Sequence, residues 1–277
     1  MKMKNLKIIA LLSMVFYTMQ ACSDDDDHTS TDTEYATIVM VHGAWQNASV
    51  WDQVKNQLQS QGHTVVAVEL LGHGEDETPV ADITFEAYVK QVKTAIAAQG
   101  TPVILLGHSL GGAVITQTAA EVSEQIEKLV YIAGFIPENG KSVLDNSALD
   151  TTSLLPSALE FSADGSTAAI ADPETNIPEI FCQYGAQAQV DLLIKNLKPE
   201  PLAPLATPLA YSGEDYNTIS NKYYVFTKED HAITYSFQKK MASDAGITKT
   251  YEVTSGHSPF VSRPDEVLQI LQTILED

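Results

Sequence analysis

The chain has 277 residues, a formal net charge of −20, and a composition of 44% hydrophobic and 19% charged residues. This length suffices for one large domain that carries an insertion, and the composition is that of a globular protein rather than a disordered or repetitive one. Because the charge is strongly negative, nucleic acid and anionic membrane surfaces are excluded as favourable partners.

The N-terminal residues are predicted to form an export signal. Lysines precede an apolar run over residues 8–17, which is too short to span a membrane. Residues 1–21 are therefore predicted to be a lipoprotein-type signal peptide, because Ala21 followed by Cys22 resembles the lipobox of bacterial lipoprotein precursors. Met19 departs from that pattern, since Leu is usual at its position. Cys22 is the predicted lipidation site.

An acidic tether is predicted over residues 22–35, where four consecutive Asp residues are followed by a Ser/Thr-rich stretch. The stretch resembles the tether of surface-exposed lipoproteins of Bacteroidetes-type bacteria. We expect an exported protein that is lipid-anchored at the bacterial outer membrane or cell surface and touches the membrane only through this anchor. An ordinary cleaved signal followed by a disordered linker is the alternative. The second cysteine, Cys182, then has no partner within the chain and is predicted to be a buried apolar residue.

From residue 37, short β-branched runs alternate with amphipathic stretches, which predicts an α/β fold with a mostly parallel sheet and helices on both faces. The strands are predicted over residues 37–41, 64–68, 103–106, 128–132, 223–226 and 250–253. Apolar spacing predicts a helix over residues 85–96, and Pro264 marks the start of the last one.

The alternation stops between about residues 137 and 221, where Pro, Ser and Ala are frequent. A segment of ~80 residues is too long for a structureless loop in a compact domain. We therefore predict an inserted helical cap over the carboxyl ends of the strands, with a helix near residues 187–197. A long irregular excursion without a role in substrate selection is the alternative.

The strongest chemical signal is a Gly-x-Ser-x-Gly turn centred on Ser109. An apolar strand leads into Gly107-His108-Ser109-Leu110-Gly111, and a helix of small residues follows. In that context the turn holds the serine in a strained conformation with its hydroxyl exposed, while the glycines avoid clashes with the neighbouring strand and helix. Ser109 is the predicted nucleophile.

A serine nucleophile needs a base, and seven histidines are available. His257 is selected because it follows the last strand and precedes the last helix, which agrees with the chain order Ser, Asp, His. Asp230, after the preceding strand, is the predicted acid that orients this base. Glu229 is the close alternative, and Glu138 is a more distant one.

Acyl transfer also requires two donors for the developing oxyanion. The backbone N–H of Leu110, directly after the nucleophile, is the first predicted donor. The N–H of Ala44, in the loop after the first strand, is the second. His42 and Gly43 are predicted to support this loop, and Trp45 is either a packing residue or a pocket wall.

With the predicted nucleophile, acid, base and oxyanion donors in this chain order, residues 36–277 resemble the α/β-hydrolase superfamily. The resemblance is to the group of bacterial esterases and pyrethroid-type hydrolases with plant methylesterases and hydroxynitrile lyases. The motifs that carry the resemblance are His42-Gly43-Ala44-Trp45, Gly62-His63, Gly107-His108-Ser109-Leu110-Gly111-Gly112, Phe135-Ile136-Pro137-Glu138-Asn139-Gly140 and the Asp230 and His257 loops. The resemblance implies an α/β-hydrolase domain and hydrolysis of small, mainly apolar carboxylic esters through an acyl-enzyme, without a cofactor.

Two other functions remain open. Lyases of this group typically carry Thr after the His of the oxyanion motif and Lys after the base, whereas this chain has Gly43 and Ser258, which favours hydrolysis. A ligand-binding protein on a retained hydrolase fold is the second alternative, since fold does not fix function. No metal site is predicted, because the histidines are scattered and the chain lacks a cysteine pair. The oligomeric state is not predictable from these features.

Overall fold

The computed structural model describes residues 35–277. The predicted signal peptide, Cys22 and the tether up to residue 34 lie outside the described residues, and they stay predictions. Within residues 35–277, no helix combines the length and the apolar character needed to cross a membrane.

A six-stranded parallel sheet forms the centre of the domain. Its strands are β1 Thr37–Val41, β2 Thr64–Val68, β3 Val103–His108, β4 Ile126–Ile132, β8 Lys222–Thr227 and β9 Lys249–Val253, and their order is β2-β1-β3-β4-β8-β9. All five neighbouring pairs are parallel. The central strands carry continuous apolar runs because both faces of the sheet are covered.

Helices cover the two faces of the sheet. The helices of the main domain are α1 Asp52–Ser60, α2 Phe85–Ala97, α3 Leu110–Glu121, α9 Tyr235–Asp244, α10 Pro259–Ser262 and α11 Pro264–Glu276. The connections β1 to β2 and β2 to β3 run in opposite directions along the sheet, so right-handed crossovers place α1 and α2 on opposite faces. Accordingly α1 packs against α11, and α2 packs against α3. The fold class predicted from the sequence is confirmed.

The segment between β4 and β8 contains short elements and a second sheet. The helices are α4 Val143–Ser147, α5 Pro173–Asn176, α6 Gln187–Asn196, α7 Leu202–Ala206 and α8 Gly213–Thr218, with a π-helical turn at Ile177–Phe181. The strands β5 Leu159–Phe161, β6 Thr167–Ile170 and β7 Glu200–Pro201 form an antiparallel sheet, which we call the cap sheet. The sequence did not predict it, because these strands are short and lack a run of β-branched residues.

The last helix is fastened to the sheet by a buried lysine. The Lys128 Nζ atom donates 3.0 Å hydrogen bonds to the carbonyl oxygens of Ile274 and Leu275, at the end of α11. These carbonyls have no partner within a helix, and a cation at this end also complements the helix dipole. The amine therefore compensates for its own burial by satisfying the helix end.

Candidate active site

Ser109 lies at the junction of β3 and α3 in a strained backbone conformation, with φ 52° and ψ −123°. The turn is possible because two neighbours lack side chains. A Cβ atom on Gly107 would lie 2.6 Å from the Gly111 carbonyl oxygen, and one on Gly111 would lie 2.6 Å from the His42 carbonyl oxygen. The Ser109 N–H donates to the carbonyl oxygen of Ala133, after β4, over 3.2 Å. The tight packing of strand, turn and helix therefore fixes where this hydroxyl lies.

Asp230 and His257 are brought together by the parallel strands that precede them. Because β8 and β9 are neighbours, the loops at their carboxyl ends meet, and His257 Nδ1 lies 2.8 Å from Asp230 Oδ2. A carboxylate only accepts hydrogen bonds, so Nδ1 carries the proton and Nε2 is left unprotonated to act as a base. The alternative acids Glu229 and Glu138 are exposed.

The Asp230 carboxylate is held by a set of protein donors. Its Oδ1 atom accepts from the backbone N–H groups of Ala232 and Ile233, each over 2.8 Å. Its Oδ2 atom accepts from Thr227 Oγ1 over 2.7 Å and from Gln238 Nε2 over 3.0 Å, besides His257. These donors replace the water that a buried carboxylate otherwise needs. They also leave the side chain a single orientation, toward the base.

His108 directly precedes Ser109, and its ring packs against His257. Its Nε2 atom donates to the carbonyl oxygen of His257 over 2.8 Å, and the two rings are 4.5 Å apart. Burial, and then the proximity of His257, hold the pKa of His108 well below its ordinary value, so its ring is neutral. Among the hydrogen bonds of residues 35–277, none joins Ser109 Oγ to His257; such bonds commonly tighten only when substrate binds.

Two backbone donors at the site are free. Across residues 35–277 we find no hydrogen-bond acceptor for the N–H of Ala44 or of Leu110. His42 holds the Ala44 loop: its Nε2 accepts from the Leu70 N–H over 3.1 Å, so its Nδ1 donates to the Gly43 carbonyl oxygen over 2.8 Å. Burial lowers the pKa of His42, in agreement with a neutral ring. Gly43 cannot carry a side chain, because its Cβ atom would lie 2.8 Å from Ser109 Cβ.

The π-helical turn covers the base. The Phe181 ring meets the His257 ring edge-on at 5.7 Å and the Trp45 ring at 6.0 Å, while the Phe181 carbonyl oxygen accepts from the Ser258 N–H over 2.8 Å. Cys182 follows, and burial raises the pKa of its thiol to about 12, which makes it unreactive. Ser109 and His257 are only 5% and 2% exposed, so the predicted nucleophile and base are largely shielded from bulk water.

Two residues near the site were not predicted, namely His73 and Glu200. Their side chains are buried and lie 2.8 Å apart beneath the loop that carries Trp45. They are 127 residues apart in the sequence, so no local pattern links them. The only local signal was a histidine between two glycines in the loop that follows the second strand.

A family model described as the α/β hydrolase family matches residues 38–270, and the chain belongs to that family. Its relatives include putative methylesterase 11 of Arabidopsis thaliana, 28% identical over 88% of this chain and 65% of its own length. The chain spans only 56% of putative methylesterase 13 from the same plant. It spans 99% of a carbendazim hydrolyzing esterase of Nocardioides sp. (strain SG-4G), which is 28% identical over 86% of this chain.

The chain is also similar to a plant lyase and to a bacterial hydrolase of known structure. The α-hydroxynitrile lyase of Arabidopsis thaliana is 27% identical, over 86% of this chain and 96% of its own length. Among solved structures, an extracellular α/β-hydrolase from a Paenibacillus species is 28% identical. It covers 87% of this chain and 100% of its own, with a TM-score of 0.74.

Proposed function

We propose that this protein is a serine hydrolase that cleaves carboxylic esters of small, mainly apolar substrates through an acyl-enzyme intermediate. The observation that carries the proposal is the buried 2.8 Å bond between His257 Nδ1 and Asp230 Oδ2, at the same sheet edge as the strained Ser109 turn. Relatives named as methylesterases and as a carbendazim hydrolyzing esterase support ester hydrolysis.

The groups act in a defined order. Ser109 Oγ attacks the ester carbonyl carbon while His257 Nε2 accepts the hydroxyl proton, and Asp230 stabilises the imidazolium that forms. The oxyanion accepts from the N–H groups of Ala44 and Leu110, each worth about 3 to 4 kcal/mol in comparable enzymes. Collapse expels the alcohol, which takes the proton from His257. Water, deprotonated by the same imidazole, then releases the acid and frees Ser109.

The surroundings favour a small and uncharged ester. The Phe181 ring packs against the His257 ring and against Trp45, and the side chains of Phe181, Trp45 and Ala44 are all at most 7% exposed. The net charge of −20 repels anionic substrates at long range.

Lyase chemistry is not favoured at this site. The threonine that such lyases carry after the oxyanion-motif histidine does not fit at Gly43, whose Cβ atom would meet both His108 Nδ1 and Ser109 Cβ at 2.8 Å. Ser258 is 3% exposed and does not supply the ammonium group of a lysine.

The proposal is tested by hydrolysis of p-nitrophenyl esters of increasing acyl length, with a fluorophosphonate probe as a label for the activated serine. We expect turnover and labelling that are both lost in Ser109→Ala. If folded wild-type protein shows neither, the proposal is wrong and the ligand-binding alternative takes its place.

A further inference from the structure

The oxyanion loop contains a second strained residue, Trp45, with a φ of 61°. Bulky residues avoid this left-handed conformation, and it persists only where the surroundings enforce it. The hydrogen bonds that hold Trp45 come from the segment between β4 and β8, which we call the cap segment. The Trp45 indole Nε1 donates to the Ala168 carbonyl oxygen over 2.8 Å. The backbone carbonyl oxygen of Trp45 accepts from the Lys198 N–H over 3.1 Å. Trp45 is the residue directly after the oxyanion donor Ala44.

The third contact comes from a buried carboxylate. The Trp45 backbone N–H donates to Glu200 Oε2 over 2.9 Å. Glu200 is 0% exposed and is paired in the cap sheet with Ala168, the residue that holds the indole. The paired residues Ala168 and Glu200 of the cap sheet therefore bind the indole N–H and the backbone N–H of Trp45.

The same carboxylate oxygen serves a second donor. His73 Nε2 lies 2.8 Å from Glu200 Oε2, and His73 Nδ1 lies 3.0 Å from the Leu71 carbonyl oxygen. Both ring nitrogens face groups that only accept hydrogen bonds, so both carry protons and the ring is an imidazolium. The other oxygen of Glu200, Oε1, is buried without a hydrogen-bond partner among the described residues.

We propose that Glu200 and His73 are a positioning pair for the oxyanion hole: the carboxylate holds the Trp45 amide so that the Ala44 N–H points at the developing oxyanion, and the imidazolium neutralises that carboxylate. The inference rests on the proposed function. Neither residue touches the reacting atoms, and both act through the loop.

The imidazolium is needed for an electrostatic reason. An uncompensated buried carboxylate, one residue from an oxyanion donor, would oppose the negative charge that forms in the transition state. Burial by itself lowers the pKa of His73, but the facing Glu200 carboxylate outweighs it, and the pKa is raised above its ordinary value. The pair is therefore neutral as a whole when the enzyme works.

The other titratable groups that face His73 do not replace Glu200. The His42 ring, at 4.9 Å, is neutral because burial lowers its pKa. The Tyr88 ring, at 6.0 Å, is held neutral because burial, followed by the charge of Glu200, raises its pKa. Glu69 also raises the pKa of His73, but more weakly than Glu200 does.

The arrangement predicts a decline of kcat at alkaline pH. A histidine with a raised pKa keeps its proton at and above the pH at which a free histidine loses it, about 6.5, and loses it as the pH rises through the raised value. Above that pH the His73 contact weakens and Glu200 becomes an uncompensated charge. The kcat of the wild type therefore falls on the alkaline side.

The decisive variants are Glu200→Gln and the double variant His73→Gln/Glu200→Gln. The Trp45 N–H and the His73 ring both meet one atom, Glu200 Oε2. In the single variant, one amide atom cannot both accept from the Trp45 N–H and donate to a neutral imidazole that keeps its bond to Leu71. We expect kcat to fall about 10- to 100-fold with little change in KM, because the lost interaction is made in the transition state. In the double variant, the new amide oxygen that replaces the Glu200 carboxylate can accept both from the Trp45 N–H and from the amide that replaces the His73 ring. We expect it to recover most of the kcat and to lack the alkaline decline.

Lys128→Met is the matched control, since it removes another buried charge, 6% exposed, at the end of the last helix. We expect its kcat to equal that of the wild type even though its unfolding temperature is lower. Wild-type kcat in Glu200→Gln, an effect confined to KM, a double variant no better than the single one, or a wild type without an alkaline decline would each overturn the inference.

A measurement independent of turnover separates this inference from the proposed function. Absence of Ser109-dependent turnover contradicts the function. For the positioning pair, ¹⁵N NMR of the His73 ring in the full chain reports whether both nitrogens are protonated at neutral pH. We expect an imidazolium in the wild type, and a neutral ring there would overturn the inference even if Glu200→Gln failed to fold.

Discussion

At the scale of single residues, burial and hydrogen bonding determine which side chains form the site. Asp230 and Glu229 are adjacent in the sequence, yet Asp230 is 3% exposed and faces the base, while Glu229 points to solvent. The sequence favoured Asp230 as the acid, with Glu229 as a close alternative and Glu138 as a distant one. It could not show what separates the two neighbours, because the backbone donors of Ala232 and Ile233 and the Gln238 side chain of the following helix reach Asp230 only in the folded chain.

This difference gives a paired prediction. Asp230→Asn should lower kcat about 10⁴-fold, since the amide no longer selects the tautomer in which His257 Nε2 is the base. Glu229→Gln removes the neighbouring charge and should leave kcat unchanged. Steady-state hydrolysis of one p-nitrophenyl ester by both variants is the measurement. If the two variants lose activity equally, Asp230 does not have the role proposed for it.

At the scale of secondary structure, the sheet was predictable and the cap sheet was not. Each of the six central strands contains a run of β-branched or aromatic residues, and the structure extends several of them by one or two residues. The strand Thr167–Ile170 has two alanines at its centre and gives no such signal. The contacts of Trp45, Glu200 and His73 depend on this sheet, so they too were beyond what the sequence indicated.

The π-helical turn is the element expected to set acyl specificity. Single π turns inside helices frequently mark functional sites, and this one brings Phe181 onto the His257 ring. Phe181→Leu should open space beside the base and raise the rate for longer acyl chains relative to acetate, where each buried methylene is worth about 0.8 kcal/mol.

The ratio of kcat/KM for hexanoate and acetate esters measures this effect. Phe161→Leu is the matched control, because Phe161 lies in the cap sheet but is 58% exposed. An unchanged ratio in Phe181→Leu, or an equal shift in the control, would contradict the assignment of Phe181 as a pocket wall.

At the scale of the whole molecule, hydrogen bonds join the cap segment to the loops that follow β8 and β9. Asp150 accepts from both the N–H and the hydroxyl of Thr234, each over 2.7 Å, and Ser153 Oγ donates to the Ala232 carbonyl oxygen over 2.8 Å. The Phe181 carbonyl oxygen is bonded to the Ser258 N–H. If this segment selects the substrate as proposed, it is bonded to the loops of the proposed acid and base, so we expect substitutions in it to change both KM and kcat.

We also propose that the whole protein is exported and anchored by lipid at Cys22. In a bacterial host that processes lipoproteins, wild-type protein should sediment with membranes, and Cys22→Ala should move to the soluble exported fraction because the acyl chains are lost. Cys182→Ala is the control and should sediment as the wild type does. Membrane association of Cys22→Ala at the wild-type level would exclude the anchor.

In the proposed function, Ser109 carries the acyl group during turnover. The most direct measurement is intact-mass analysis, with peptide mapping, of protein quenched in acid during hydrolysis of a p-nitrophenyl ester. We expect a mass increase equal to the acyl group, located on the peptide containing Ser109 and absent in Ser109→Ala. Acyl transfer to another residue, or turnover that persists in Ser109→Ala, would contradict this role of Ser109.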